Sequence, residues 1–284
     1  MKITTIIPIQ NPNYNILIKN ISLLERQTVP VNIVLLNSGK KFYHPHCKII
    51  DIAPSSFNHA TTRNMALKFS SDYYLFMTQD AHPADEYLVE ELLKPFADKD
   101  VVISYARQIP FTCSPLYEIF ARQKNYPPIS LVKSKNDLPK LGIYTFFCSN
   151  TCALYQGNYF RKVSGFTPNL NRNEDMEFAA RAILNGKKIA YQATAKVFHS
   201  HNDSVVQLFK KYVEIGKFFK QNKWILEAGK KRSIYKHGSF YLKDELKFYF
   251  SKNKTKILEP FFIAIVKYIA FEIGSIIGGK KRLK

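Results

Sequence analysis

Apolar positions change their rhythm several times over the first two hundred residues. Ile3 to Ile9 is a β-branched run with Pro8 near its end, the pattern of a buried strand. Positions 14–27 then carry Tyr14, Leu17, Ile18, Ile21 and Leu24 at helical spacing. VNIVLL (31–36), stopped by Asn37-Ser38-Gly39, and KIIDI (48–52) predict two more strands. Asn58 predicts the cap of a helix running to about Phe69. YYLFM (73–77), a helix over 85–96 and VVISYA (101–106) follow. The alternation predicts an α/β fold with a mostly parallel sheet flanked by helices. Ligands of such sheets sit beyond the carboxyl ends of the strands. Residues 107–150 are rich in Pro and aromatics and show no clean period, which predicts an ordered loop region covering a site. Glu174-Asp175 opens a further helix that Gly186 ends, and KIAYQ (188–192) and AKVFH (195–199) read as two short strands.

Beyond residue 203 the pattern becomes helical and basic. Val205, Leu208, Phe209, Tyr212, Ile215 and Phe219 stripe one helix, 238–250 reads as a second, and about 257–277 as a third, followed by the tail KKRLK. Residues 204–284 hold 19 Lys and Arg against 6 Asp and Glu, so +13 of the chain's +20 lies there. The expected division is therefore an α/β domain over 1–203 and a basic, amphipathic helical region over 204–284. Aromatics interleaved with Lys fit an interfacial helix on an acidic membrane surface, and a solvated helical face is the plainer alternative. Lys267 and Glu272 interrupt the last apolar helix and weigh against a span.

Composition narrows the class. Hydrophobic residues at 46% and charged residues at 23% permit a real core and exclude a disordered chain. A charge of +20 calls for an anionic partner: nucleic acid, acidic lipid or a phosphorylated substrate. No nucleic-acid recognition motif accompanies it, so no nucleic-acid partner is expected. Cys47, Cys113, Cys148 and Cys152 are too few for a disulfide scaffold, and Cys148 and Cys152, with no second Cys or His pair at zinc-ligand spacing, read as buried thiols. The N-terminal stretch lacks the apolar core and cleavage site of a signal peptide, so a cytoplasmic protein is expected.

Four strand-end segments carry candidate chemistry. Asp80, preceded by Gln79, follows YYLFM, where a carboxylate can hold a hard divalent cation or simply face water in a turn. FNHATTRN (57–64) joins a helix start to Arg63, either a diphosphate-binding arrangement or an ordinary cap with a surface Arg. Glu174 and Asp175 at a helix start complement its dipole or supply a general base. His199-Ser200-His201 closes the α/β part, and a His beside a carboxylate is a metal-ligand candidate.

Taken in order, Asn37-Ser38, FNHATTRN, TQDA (78–81), RQIP (107–110), NEDMEFAARAILNGKKIAY (173–191) and HSH (199–201) resemble the family 2 glycosyltransferases of the GT-A fold. The similarity is to their rhamnosyltransferase-like branch, which builds bacterial surface polysaccharides, and it covers residues 1 to about 215. The resemblance implies an inverting, metal-dependent transfer of a sugar, L-rhamnose from dTDP-L-rhamnose, to a lipid-linked or growing saccharide acceptor. It implies Pro8, Asn37, Ser38, Asn58, Arg63, Gln79, Asp80 and Arg107 around the nucleotide sugar. Asp80 and His199 would hold Mn²⁺ or Mg²⁺, and Asp175 would be the catalytic base. Gln108, Asn150, Glu174 and His201 would line the acceptor or sugar pocket. The enzyme would work in the cytoplasm, peripheral on the inner face of the plasma membrane. Thr78 stands where the wider family has the first Asp of Asp-x-Asp, and Asn37 where it often has Asp.

Overall fold

The computed structural model describes residues 1–229 and 232–279. The tail KKRLK lies outside the described residues. The chain forms two compact units. The first comprises Met1–Ile109, Tyr126–Lys135 and Phe146–His199, and the second Pro110–Asn125, Asn136–Thr145 and Ser200–Lys284. The expected cut at 203/204 thus falls beside the observed 199/200, while the second unit also takes two segments from the middle of the chain.

In the first unit, β1 (Ile3–Ile9), β2 (Asn32–Asn37), β3 (Cys47–Asp51) and β4 (Tyr73–Met77) are all parallel. β5 is the short His82–Pro83, β6 runs Val101–Ile109, β7 Leu131–Lys133, β8 Cys152–Gln156 and β9 Lys188–Phe198. These nine strands among the described residues form one sheet in the order β3-β2-β1-β4-β8-β6-β9-β5, with β7 also on β9. β8 runs antiparallel to both its neighbours, while β6 and β9 are parallel. The carboxyl ends of β1, β2, β4, β6 and β9 therefore share one edge of the sheet, and β8 starts there.

Helices cover both faces because the strands are apolar on both sides. Helix α1 (Tyr14–Glu25), capped by the Asn13 side chain, buries Leu17, Ile21 and Leu24 against Ile7, Leu35 and Leu88. On the other face, Phe76 and Tyr155 of the sheet meet Phe166 and Phe178 at ring-centroid distances of 5.1–5.5 Å. Such edge-to-face aromatic pairs add about 0.5–1.5 kcal/mol each beyond their burial.

Several predicted elements are shorter or longer than expected. Helix α2 covers only His59–Arg63 before tightening into a 3₁₀ turn over Asn64–Lys68. Helix α3 (Leu88–Leu93) passes into a 3₁₀ turn at Pro95, which has no N–H to continue it. The two expected strands near 190 are one strand, β9. A register shift between Ala106 and Arg107 leaves 193–195 opposite no partner on β6, a bulge that breaks the alternation in the sequence. The region 107–150 is no uniform loop: it completes β6 and holds α4 (Leu116–Asn125), β7 and the single turn α5 (Leu138–Leu141). After β8 come α6 (Gly157–Lys162) and α7 (Glu174–Leu184).

The second unit is helical: α4 and α5, then α8 (Val205–Gln221), α9 (Lys223–Ala228), α10 (Arg232–Lys252) and α11 (Glu259–Ile277). Ser204 and Gln207 form a capping box that starts α8. Phe120 of α4 packs against Tyr241 and Phe248 of α10, and α8 packs along α11. All four cysteines are free: Cys148 and Cys152 are buried, as expected, but Cys113 is exposed and Cys47 half-buried.

Candidate active site

The carboxyl edge of the sheet gathers side chains that lie far apart in sequence. Gln79 and Asp80 follow β4, and Gln108 lies near the end of β6. His199 follows β9, with its N–H donating to Ile109 O at 3.0 Å. His199 Nε2 stands 3.5 Å from Asp80 Oδ1, the imidazole side chain 3% exposed and the carboxylate 45%. The pairing expected for a metal is thus present in the first unit.

Gln108 controls the imidazole. Its amide nitrogen donates to Tyr126 Oη at 2.6 Å and Ser149 Oγ at 2.9 Å. Its carbonyl oxygen therefore faces His199 Nδ1, 2.9 Å away, and accepts that nitrogen's proton. The lone pair is left on Nε2, the atom that faces Asp80. A carboxylate oxygen and an imidazole nitrogen 3.5 Å apart are two donors of the kind that a divalent cation accepts as ligands. One hard oxygen and one borderline nitrogen fit Mn²⁺ or Mg²⁺ completed by diphosphate oxygens and water. Gln108, expected to line a pocket, is 2% exposed and acts behind the histidine instead.

The second cluster forms where α7 begins. Asn173 adopts a left-handed conformation with φ +60°, one that Asn tolerates, and turns the chain into the helix. Glu174 then points inward, 5% exposed, and Asp175 is half-buried. Glu174 Oε1 pairs with Arg63 Nη1 at 3.0 Å and accepts from Asn150 Nδ2 at 3.0 Å. Asp175 Oδ2 accepts from the Asn150 N–H at 2.9 Å and Oδ1 from the Met176 N–H at 2.8 Å. Tyr155 Oη donates to Asn150 Oδ1 at 2.8 Å, so Asn150 is fixed on three sides.

The two adjacent carboxylates are pushed apart in acidity. Burial and then the Glu174 charge raise Asp175 to about 7, against the two backbone N–H bonds. Burial is the largest influence on Glu174 and works to raise it, but the Arg63 guanidinium, His59 and the Asn150 hydrogen bond together outweigh it and hold the carboxyl below its ordinary value. His59, whose Nδ1 is 3.1 Å from Arg63 Nη1, is lowered to about 4 by burial and the neighbouring cation. Glu174 is accordingly the permanent anion and Asp175 the group that exchanges a proton near neutrality.

The remaining expected residues are placed as follows. Pro8 pairs with Leu36 near the ends of β1 and β2. Asn37 is bound to Asp51, Lys40 O and the Gly39 N–H, and Ser38 to Ile9 O, so both shape the turn after β2. Asn58 caps α2 through the Ala60 and Thr61 N–H groups and donates to Asn171. Gln79 accepts from the Gln10 N–H at 2.9 Å. Arg63 is 3% exposed and committed to Glu174 and His59, so the surface Arg considered above is a buried ion-pair partner. Arg107 is half-buried beside Tyr191, on the strand face opposite Gln108. Asn150 and Glu174 lie beneath Asp175 rather than open to a pocket. His201 belongs to the second unit, where its N–H donates to Glu118 Oε1 at 3.1 Å. Sequence reasoning missed His59, Tyr126, Ser149 and Tyr155. Only the motif position of His59 offered a signal, since the other three stand in irregular or strand segments with no distinguishing pattern.

No known family model matches the chain. It is 38% identical over 232 residues to the O-antigen chain rhamnosyltransferase WbaN of Salmonella anatum, covering 80% of this chain and 72% of that protein. It is 32% identical over 293 residues to the O-antigen chain rhamnosyltransferase RfbN of Salmonella typhimurium, covering 96% and 90%. Its fold is similar to that of the Pyrobaculum calidifontis mannosyltransferase PcManGT in complex with GDP-Man and Mn²⁺, with a TM-score of 0.60 at 10% identity over 98% of this chain and 85% of that one. With a mostly parallel sheet, a strand-end Asp–His pair and relatives this close over most of their length, the chain belongs to the family 2 glycosyltransferases of the GT-A fold, in their rhamnosyltransferase-like branch.

Proposed function

We propose that this glycosyltransferase moves L-rhamnose from dTDP-L-rhamnose to a lipid-linked or growing O-antigen saccharide, with inversion, at the inner face of the plasma membrane. The observation that carries the chemistry is Asp175: a half-buried carboxylate raised to about 7 and held by two backbone N–H groups. A base of that acidity takes the acceptor hydroxyl proton near neutral pH, which typically contributes about 10²–10⁴-fold. A single displacement by that hydroxyl inverts the anomeric carbon and needs no enzyme nucleophile. The names of the two relatives support the donor and acceptor classes.

Asp80 and His199 are the residues that would hold Mn²⁺ or Mg²⁺, with His201, two residues further along, as a further candidate for the pocket. When bound, the cation neutralises the charge that grows on the departing diphosphate. The protein's own part is to hold Asp175 and Asp80 apart on one sheet edge. Gln108 keeps the His199 lone pair on Nε2, and the Arg63–Glu174 pair keeps the second carboxylate from competing as base. Asn37, Ser38, Asn58, Gln79 and Arg107, near the carboxyl edge or on the neighbouring α2, are placed around the nucleotide sugar in this reading.

A panel of nucleotide sugars tested with a lipid-linked saccharide acceptor decides the matter. Release of dTDP from dTDP-L-rhamnose, with an inverted linkage by NMR, is expected. Preferred turnover of another donor, or retention of configuration, overturns the corresponding part of the reading.

A further inference from the structure

We propose that α11 is a lipid-docking helix that lies in the plane of an anionic membrane surface, held there by α8 rather than crossing the bilayer. The inference rests on the reading that the enzyme works at a membrane, and it names the surface and its orientation.

Length and composition alone leave the matter open. Lys254–Ile277 is apolar enough to span, with a mean hydropathy of 1.8, yet only 22% of it is buried within the protein. Packing decides between the alternatives. One side of α11 buries Ile263, Ala270 and Gly274. There the two helix backbones touch. A Cβ on Gly274 would stand 2.0 Å from Val213 O of α8, and one on Gly216 of α8 would stand 2.1 Å from Phe271 O. Gly278 likewise lies against Lys217. Glycines at such contacts let two helices pack as one body. The partner is charged: α8 carries Lys210, Lys211, Glu214, Lys217 and Lys220. Taking α11 through a bilayer would take these charges with it, which hydrocarbon opposes strongly.

The opposite side of α11 has another character. Leu258, Phe261, Phe262, Ile265, Ile269 and Ile276 are each at least 43% exposed. Their spacing places them on one stripe, which the half-buried Glu272 interrupts toward its C-terminal end, and nineteen residues extend it over about 28 Å. Lys247, Lys252, Lys254 and Lys256, just before its N-terminal end, are all exposed, and Lys254 Nζ lies 4.5 Å from the Phe250 ring centroid. A 470 Å³ cleft lined by Leu246, Lys247, Phe250, Ile257 and Phe261 opens in the same place. Of the acids nearby, Asp244 pairs with Lys124 and Glu245 is buried. An apolar stripe headed by cations and aromatics matches the boundary between anionic headgroups and acyl chains.

The test uses the full chain and vesicles of phosphatidylcholine with or without phosphatidylglycerol. Co-sedimentation with the anionic vesicles is expected, falling as salt rises. Replacing Lys252, Lys254 and Lys256 by Ser should weaken it about a hundredfold, at about fivefold per lysine. Phe261→Ser with Phe262→Ser should remove the salt-resistant remainder. Nitroxides placed by Phe262→Cys, Ile269→Cys and Ile276→Cys, with Cys47 and Cys113 changed to Ser, then report orientation. An in-plane helix puts all three at one shallow depth, whereas a spanning helix separates the outer two by about 21 Å. Such a separation, equal binding to both vesicle types, or a stripe that instead holds two copies of the chain together overturns the proposal. Transfer to a soluble acceptor is measured alongside: its loss in the unaltered chain would count against the catalytic reading and leave the docking result standing.

Discussion

Asp175→Asn should make the enzyme inactive and its fold more stable, with the stability difference growing as pH rises. The Asp175 carboxyl is raised from 3.8 to about 7, first by burial and then by the Glu174 charge. A rise of about three pKa units sets about 4 kcal/mol against the ionised form in the folded state. The sign follows from proton binding. Between pH 3.8 and about 7 the folded state holds the proton that the unfolded state has released, so stability falls across that window. The cost is absent below it and complete above it. Asn carries no charge and escapes the cost, but its amide NH₂ replaces an oxygen that accepts from either Asn150 N–H or Met176 N–H. Losing that bond costs about 1–3 kcal/mol. The variant should therefore gain roughly 1–3 kcal/mol at about pH 8.5. Its margin over the unaltered protein should shrink by about 2 kcal/mol at about pH 5.5. Denaturant unfolding at the two pH values measures this, and transfer at saturating acceptor should fall about 10²–10⁴-fold. A variant less stable at high pH, or a margin independent of pH, would refute the environment inferred for Asp175. Undiminished transfer would remove it as the base.

Three further outcomes test separate parts of the molecule. Gln108→Leu should weaken Mn²⁺ binding about 10–100-fold and change the ¹⁵N tautomer signature of His199, a readout that needs no metal. Asp80→Ala and His199→Ala should each weaken metal-dependent nucleoside diphosphate binding in calorimetry, and the double variant should lose less than the sum; full additivity would mean that they do not share one ion. Arg63→Met, which leaves Glu174 buried without its cation, should destabilise by about 3–5 kcal/mol in thermal unfolding, and adding Glu174→Gln should recover part of the loss.

The strands and the residues at their ends could be read from sequence because their signals are local. β1 is a β-branched run with Pro8 near its end and β2 an apolar run that Asn37-Ser38 stops, while Asp80 comes three residues after β4 and His199 directly after β9. What could not be read depends on distance along the chain. Nothing in FNHATTRN says that Arg63 will turn inward, because its partner Glu174 arrives more than a hundred residues later. Gln108 likewise acquires its role from Tyr126, Ser149 and His199, which no short window contains. Helix α4 escaped because its apolar face, Tyr117 and Phe120, is only a few residues long and is completed by Tyr241 and Phe248. The break expected between 192 and 195 is the bulge in β9, where alternation fails although the strand continues.

The position of β9 also sets a timetable for synthesis. It supplies the histidine of the strand-end pair, and it lies inside the sheet, between β6 and β5. Asp80 leaves the ribosome well before its partner, since 119 residues separate them in the chain. At about 5–20 residues per second the interval is roughly 6–24 s. Throughout it the nascent chain has a carboxylate with no imidazole opposite, and from the completion of β6 at Ile109 onward the edge of that strand waits for β9 to cover it. Catalytic competence therefore cannot precede the completion of β9, and α8 and α11 follow only after that. A chaperone that shields β6 during this interval should raise the yield of active enzyme more than one that acts on the finished chain.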